Sequence, residues 1–371
     1  MQCITPMVRM YQILPDDLKN DPDIKAKQAI IPRRQVFENM QSDENYLTRI
    51  QNKNKELEEQ GKDYRYQLIP CKHCWACQLK YSAEWATRLT WESERYDHKF
   101  FITLTYDDEH LPLFEKMTYT DKDGYIHEFE NDGTWNGSLQ PEDVTRFIKT
   151  LRKHFERQGI TDIKYFYCGE YGETTKRPHY HMILFGAPLN IYDFYDFHID
   201  KRHKMHWKSK EIERWWGKGM IDLAEVEWSS CAYVARYCMK KIDLENDPIQ
   251  YAQQGKYKEF VRMSRRPGIG VRHFQEHMEE IYEHDEVIQK TVKGVTSSFK
   301  PPKAFDQRFK DLYPEWWEEI KASREQAAER TRIMKKEIYK GISDLEMNER
   351  NAQKVIQKGN WLPRSGDMDS L

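Results

Sequence analysis

At 371 residues the chain is long enough for one large or two ordinary domains. Charged residues make up 32% of it, mean hydropathy is −0.93, and no apolar run approaches a membrane span, which excludes a helical integral membrane protein. The formal net charge of −2 argues against a protein that coats nucleic acid through a general basic excess, but leaves open a site-specific enzyme with local positive charge.

Residues 1–69 mix charge with turn formers and show no long periodic pattern, apart from a polar helix expected over Glu44 to Glu59. The first residues lack the basic start and apolar core of a signal peptide, so the protein is expected to stay in the cytoplasm of the cell that makes it. Cys71, Cys74 and Cys77 then form a knuckle that runs into a helix reaching residue 97. In that compartment such a cluster argues for metal or thiols, not disulfides. The three sulfurs can hold one structural zinc with a fourth ligand. Cys3 is preferred, because His73 sits awkwardly between two ligands.

Lys99 to Tyr106 reads as a strand, and Asp107 to Asn136 as a loop or hairpin. A helix is expected from Pro141 to Arg157, capped by Ser138 and stopped by Gly159. It carries Arg146, Lys149, Arg152, Lys153, His154 and Arg157. Ile163 to Cys168 and Pro178 to Phe185 are further strands, with Gly169-Glu170-Tyr171-Gly172 between them. Residues 188–219 are charged and rich in Trp, with a helix through Trp215-Trp216. Met220 to Glu227 is a fourth strand, and Ser229 or Ser230 caps the helix that follows. Cys168, Cys231 and Cys238 read as small core residues. Arg262, Arg265 and Arg266 stand beside a Pro-Gly-Ile-Gly turn. Pro301-Pro302 breaks the chain before a charged helix over Glu315 to Arg350. The expected fold is α+β, an antiparallel sheet with helices on one face. It divides into an N-terminal Cys-rich segment (1–97), a central domain (98–298) and a charged helical tail (299–371).

Two stretches carry chemistry. In Pro178-His179-Tyr180-His181, alternation along a strand points both imidazoles to one side, a geometry suited to a divalent metal. In Tyr233-Val-Ala-Arg-Tyr237-Cys-Met-Lys240-Lys241, helical spacing stacks two phenols on one face, and the two ammoniums extend it. Phenols beside ammoniums suit nucleophilic attack on a phosphodiester.

This combination resembles the HUH endonucleases, and within them the rolling-circle replication initiators of microviruses, the gokushovirus branch in particular. Phe100-Phe101-Ile102-Thr103-Leu104-Thr105-Tyr106 is similar to the first family motif, and the two stretches above to the metal and two-tyrosine motifs. Cys3-Ile4-Thr5-Pro6, the cysteine knuckle, Gly169-Glu170-Tyr171-Gly172 and Met263-Ser-Arg-Arg-Pro-Gly-Ile-Gly270 extend the likeness. The resemblance implies the HUH, RRM-like core and Mg²⁺ or Mn²⁺ at His179, His181 and an acidic ligand, with Glu170 first and Glu173 as the alternative. It also implies nicking and religation of an origin in single-stranded viral DNA. Tyr233 or Tyr237 would form a 5′-phosphotyrosine, assisted by Lys240 and Lys241. Arg152, Lys153, Arg236, Arg262, Arg265 and Arg266 are the candidate DNA contacts. The chain has no Walker-type loop, so a host helicase and polymerase are expected partners in the bacterial cytoplasm. A relaxase or transposase shares the chemistry, but relaxases usually place the tyrosine before the histidines. A non-catalytic zinc-knuckle protein that stacks bases on the tyrosines is the alternative from another class.

Overall fold

The computed structural model describes residues 7–13, 28–31, 46–72, 74–121, 123–172, 174–200, 203–227, 230–235, 248–290, 296–338 and 350. These fall into two compact units, one of residues up to Lys80 with those from Ala322 onward, the other Tyr81–Lys321.

In the first unit, β1 (Met7–Gln12) pairs antiparallel with β2 (Gln28–Ile31) and β3 (Tyr64–Ile69). The expected polar helix is α1 (Tyr46–Glu59). Its Asn54 side chain both accepts from Tyr66 N and donates to Tyr66 O, at 2.8 Å each, so an amide serves β3 as another strand would. The small sheet was not anticipated. Its strands are short and mostly half-buried, so they show little of the alternation that marks a strand in sequence.

The second unit is built on seven antiparallel strands in the order β12-β7-β8-β4-β11-β10-β9. These are β4 (Lys99–Thr105), β7 (Lys164–Tyr171), β8 (Pro178–Phe185), β9 (Phe194–Ile199), β10 (Met205–Ser209), β11 (Ile221–Glu225) and β12 (Phe260–Met263). A separate hairpin, β5 (Lys116–Thr120) with β6 (Ile126–Glu130), fills the expected insertion.

Helices cover both faces of the large sheet, which corrects the expected one-faced arrangement. On one face Ile102, Leu104, Tyr167, Tyr180, Met182 and Leu223 pack with helix α3 (Pro141–Glu156) through Val144, Phe147, Leu151 and Phe155. Ile212 and Trp216 of α4 (Lys210–Trp216) join them. On the other face Phe101, Phe166, Ile183 and Phe185 pack with Trp85, Ala86 and Leu89 of α2 (Trp75–Ser93). Cys231, Val234 and Ala235 of the helical segment 230–235 complete that layer. The cause lies in the strands. β4 and β8 carry consecutive apolar residues, and a strand apolar on both sides needs cover on both.

Ser138 does not cap α3. The N-cap is Gln140, without a side-chain bond, and Ser138 Oγ accepts from Tyr257 N at 2.7 Å. The helix start is fixed instead by Tyr180, whose hydroxyl accepts from Gln140 N at 2.7 Å and lies 3.0 Å from that of Tyr106. Ser230 likewise lies inside the first turn of its helix, where its hydroxyl accepts from Glu227 N at 3.4 Å. Between residues 188 and 219 the helix through Trp215-Trp216 is present as α4, but the hairpin of β9 and β10 precedes it.

A third apolar cluster joins α6 (Val271–His284), α7 (Lys303–Leu312) and the start of α8 (Pro314–Ile338) through Phe274, Tyr282, Phe305, Phe309 and Ile320. α5 (Pro248–Gln253) is a short helix before β12. His273 stacks on Trp91 of the same cluster at 5.0 Å between ring centroids. Burial, and then the neighbouring His277, push its pKa down to about 4 from 6.5. The unfolded chain takes up this proton near pH 6.5 and the folded chain only near 4, so stability falls as pH drops through that window. Between about pH 7 and about pH 5, wild type should therefore lose roughly 1–2 kcal/mol more than His273→Gln, as read from urea midpoints of the two proteins.

Candidate metal centre and tyrosine

The β7–β8 hairpin sets Glu170 directly opposite His179 and Cys168 opposite His181. On the other side of β8, Thr103 of β4 lies opposite His181. Residues at alternate positions share a face, so His179, His181, Glu170 and Thr103 all stand on the face that packs against α2 and residues 230–235. Tyr180 points the other way, into the core beneath α3.

Glu170 Oε1 lies 3.0 Å from His179 Nε2 and 3.0 Å from His181 Nε2. Glu170 and His181 are each 4% exposed, too buried for a carboxylate to remain without compensation. Burial by itself would raise the Glu170 pKa, but the hydrogen bonds and charge of the two imidazoles hold it well below the usual carboxylate range. The far side of each ring is also held. His179 Nδ1 is 3.3 Å from Arg177 O, and His181 Nδ1 is 3.1 Å from Thr103 Oγ1. Phe101 stacks on the His181 ring at 5.6 Å. Such contacts on Nδ1 turn Nε2 toward the shared point, as in known metal-ligating histidines. Two imidazole nitrogens and one carboxylate oxygen, all within 4.8 Å of one another, fit a divalent cation with positions left for other ligands. The carboxylate suits a hard ion such as Mg²⁺ or Mn²⁺.

Tyr233 comes to the same point from residues 230–235. Its hydroxyl is 3.5 Å from His181 Nε2, and its ring meets His181 and Phe101 edge-on at 5.3 and 6.1 Å. Cys231 and Val234, fully buried on either side of it, anchor this turn of helix against the sheet. Tyr237, Lys240, Lys241, Arg236, Glu173, Cys3, His73, Cys238 and Ser229 lie outside the described residues.

The candidate DNA contacts are dispersed. Arg152 and Lys153 are on α3, and Arg262 is opposite Tyr167 in the β12–β7 ladder, so all three belong to the face away from the histidines. The Arg152 guanidinium donates to Ile163 O at 2.7 Å, a structural bond. With Arg266, Asp162 and Lys164 it lines a cavity of about 340 Å³. Arg265 and Arg266 are exposed.

In the first unit, Cys71, Cys74 and Cys77 bring their sulfurs within 4.8 Å of one another. Lys72, in the left-handed region at φ 68°, lets the loop curl back so that Cys74 N donates to Cys71 Sγ at 3.2 Å. Cys77 follows on the first turn of α2, where helix N–H groups favour thiolate. None of the described cysteines forms a disulfide.

Thr103 was not singled out from sequence, although a hydroxyl inside the apolar run Phe100 to Leu104 was the available signal. Residues 99–242, which span this centre, match the family model for replication-associated proteins of the ORF2 type. The chain is 38% identical over 270 residues to replication-associated protein ORF2 of Spiroplasma virus 4, covering 71% of this chain and 75% of that protein. It is 28% identical over 254 residues to replication-associated protein VP4 of Bdellovibrio phage phiMH2K, covering 68% and 71%. Against replication-associated protein ORF4 of Chlamydia phage 1 it is 26% identical over 175 residues, covering 47% and 38%. No solved structure matches significantly. The chain thus belongs to the family of phage replication-associated proteins, as a replication initiator of the microvirus type.

Proposed function

We propose that this protein is a site-specific, metal-dependent endonuclease and strand transferase on single-stranded viral DNA, which starts and ends rounds of rolling-circle replication through a domain spanning residues 98–298. The observation that carries this reading is the approach of the Tyr233 hydroxyl to His181 Nε2 at 3.5 Å, beside the His179–Glu170 pair. The names of the matched phage relatives support a role in viral DNA replication.

His179, His181 and Glu170 would hold Mg²⁺ or Mn²⁺. When bound, the ion would polarise the scissile phosphate and neutralise charge that develops on it. The Tyr233 oxygen attacks phosphorus, and the bond from phosphorus to O3′ breaks. The phosphate stays on Tyr233 as a 5′-phosphotyrosine, and the departing O3′ takes up the proton the phenol gave up. Because one phosphodiester replaces another, a 3′-hydroxyl can reverse the step without ATP. Tyr237 is assigned as the second nucleophile, with Lys240 and Lys241 as cations beside it. Arg236, Arg265 and Arg266 are assigned as DNA contacts, with Arg152, Lys153 and Arg262 serving DNA that wraps to the far face. The protein would act in the bacterial host cytoplasm, with a host helicase and polymerase. No described helix is long and apolar enough to cross a membrane.

The test is incubation with single-stranded DNA pools that contain a genuine origin, plus Mn²⁺, followed by denaturing electrophoresis and peptide mapping. A DNA adduct on Tyr233 or Tyr237, absent after chelation, is the expected result. Cleavage without an adduct would point to a water nucleophile, and tight binding without cleavage to a base-stacking protein.

Cys71, Cys74 and Cys77, with Cys3, are proposed to hold a structural zinc. Protein purified without chelator should lose about one equivalent of zinc on Cys74→Ser, measured by elemental mass spectrometry, because three thiolates are needed to keep a closed site.

A further inference from the structure

We propose that His198, His206 and Asp222 form a second metal site, independent of the one above, which takes a divalent transition-metal ion of the Zn²⁺ type. His198 is on β9, His206 on β10 and Asp222 on β11, three neighbouring strands at one side of the large sheet. His206 is opposite His198 in one ladder and opposite Ala224 in the other. Asp222 is two residues from Ala224, so the three side chains share a face. Their potential ligand atoms lie within 4.8 Å of one another.

The case rests on polar atoms that the protein leaves unsatisfied. His206 and Asp222 are 6% and 8% exposed. His206 Nδ1 and Asp222 Oδ2 are 2.6 Å apart and satisfy each other. Three further buried atoms, His198 Nε2, His206 Nε2 and Asp222 Oδ1, make no hydrogen bond. A buried His–Asp ion pair accounts for the first two atoms and not for these three. Nε2 of His198 and Oδ1 of Asp222 are 3.9 Å apart, wide for a hydrogen bond and suited to two ligands astride one ion. The two imidazoles stack at 5.3 Å, so both edges are presented together. Asp200 adds a carboxylate 3.5 Å from His206 Nε2, held in the hairpin turn by the Lys204 N–H. Two imidazoles with carboxylate oxygen select zinc-type ions over Mg²⁺ or Ca²⁺, which prefer all-oxygen shells.

The site's position indicates its role. Asp222 is opposite Thr103, and Thr103 is opposite His181. Two strand spacings separate Asp222 from His181, about 10 Å, well beyond the roughly 4 Å of paired catalytic ions. The ion would clip the β9–β10 hairpin to β11, the strand that flanks β4 and its Thr103.

The test uses the full chain, stripped of metal and titrated with Zn²⁺ in excess Mg²⁺, with zinc content and Tm as readouts. His198→Gln is the first variant, because this side chain is 37% exposed and its replacement leaves the His206–Asp222 pair in place. Asp222→Asn is the second. Each should lose one zinc equivalent relative to wild type, bind Zn²⁺ at least about tenfold more weakly at this site, and lose part of the zinc-dependent rise in Tm. Cys74→Ser should leave this equivalent in place. Unchanged zinc stoichiometry and an unchanged Tm shift in correctly folded His198→Gln would overturn the proposal.

Discussion

Tyr233→Phe is expected to bind single-stranded origin DNA within about twofold of wild type and to lose the adduct on its own peptide. The ring remains, so its edge contacts with His181 and Phe101 and any stacking on bases survive. Only the oxygen near His181 Nε2 is removed. Cleavage that depends on this oxygen should fall on the order of a thousandfold or more, as it does when other enzymes lose a covalent nucleophile. Single-turnover cleavage with Mn²⁺ measures it. Full-rate cleavage with the adduct mapped to Tyr237 alone would remove Tyr233 from the nucleophile's role.

Glu170→Gln is expected to weaken Mn²⁺ binding at least about tenfold to a hundredfold and to reduce cleavage with it. The amide keeps the carboxylate's shape but has no charge to offer a hard cation. It also replaces the group that accepts from both imidazoles, so one His Nε2–H would face an amide NH₂. Calorimetric titration with Mn²⁺ reads the affinity directly. Wild-type affinity in the variant would mean that Glu170 serves only to orient the histidines, with another group supplying the third ligand.

Much of the centre was legible because its geometry is local. His179 and His181 share a face through strand alternation alone, and Tyr180 goes to the core for the same reason. Cys71, Cys74 and Cys77 come together within one turn and the start of one helix. The pairing of Glu170 with His179 needed only the hairpin register, and the family resemblance pointed to it. The apolar runs Phe100 to Leu104 and Met182 to Phe185 already implied cover on both sides of the sheet, a consequence the one-faced expectation did not draw.

What remained depended on register between strands distant in sequence. Thr103 and His181 are 78 residues apart and meet only because β4 lies beside β8. Arg152, Lys153 and Arg262 read as a basic set in sequence, but α3 and the β12 register carry them to the face away from the histidines. His198, His206 and Asp222 have no recognisable spacing, since each comes from a different strand. Periodicity along a strand decides which residues share one of its faces. Which strand lies alongside, and in what register, is decided by burial summed over the whole sheet. The sequence by itself therefore determined the paired imidazoles, the cysteine knuckle and the family, and tertiary structure alone decided what surrounds each of them.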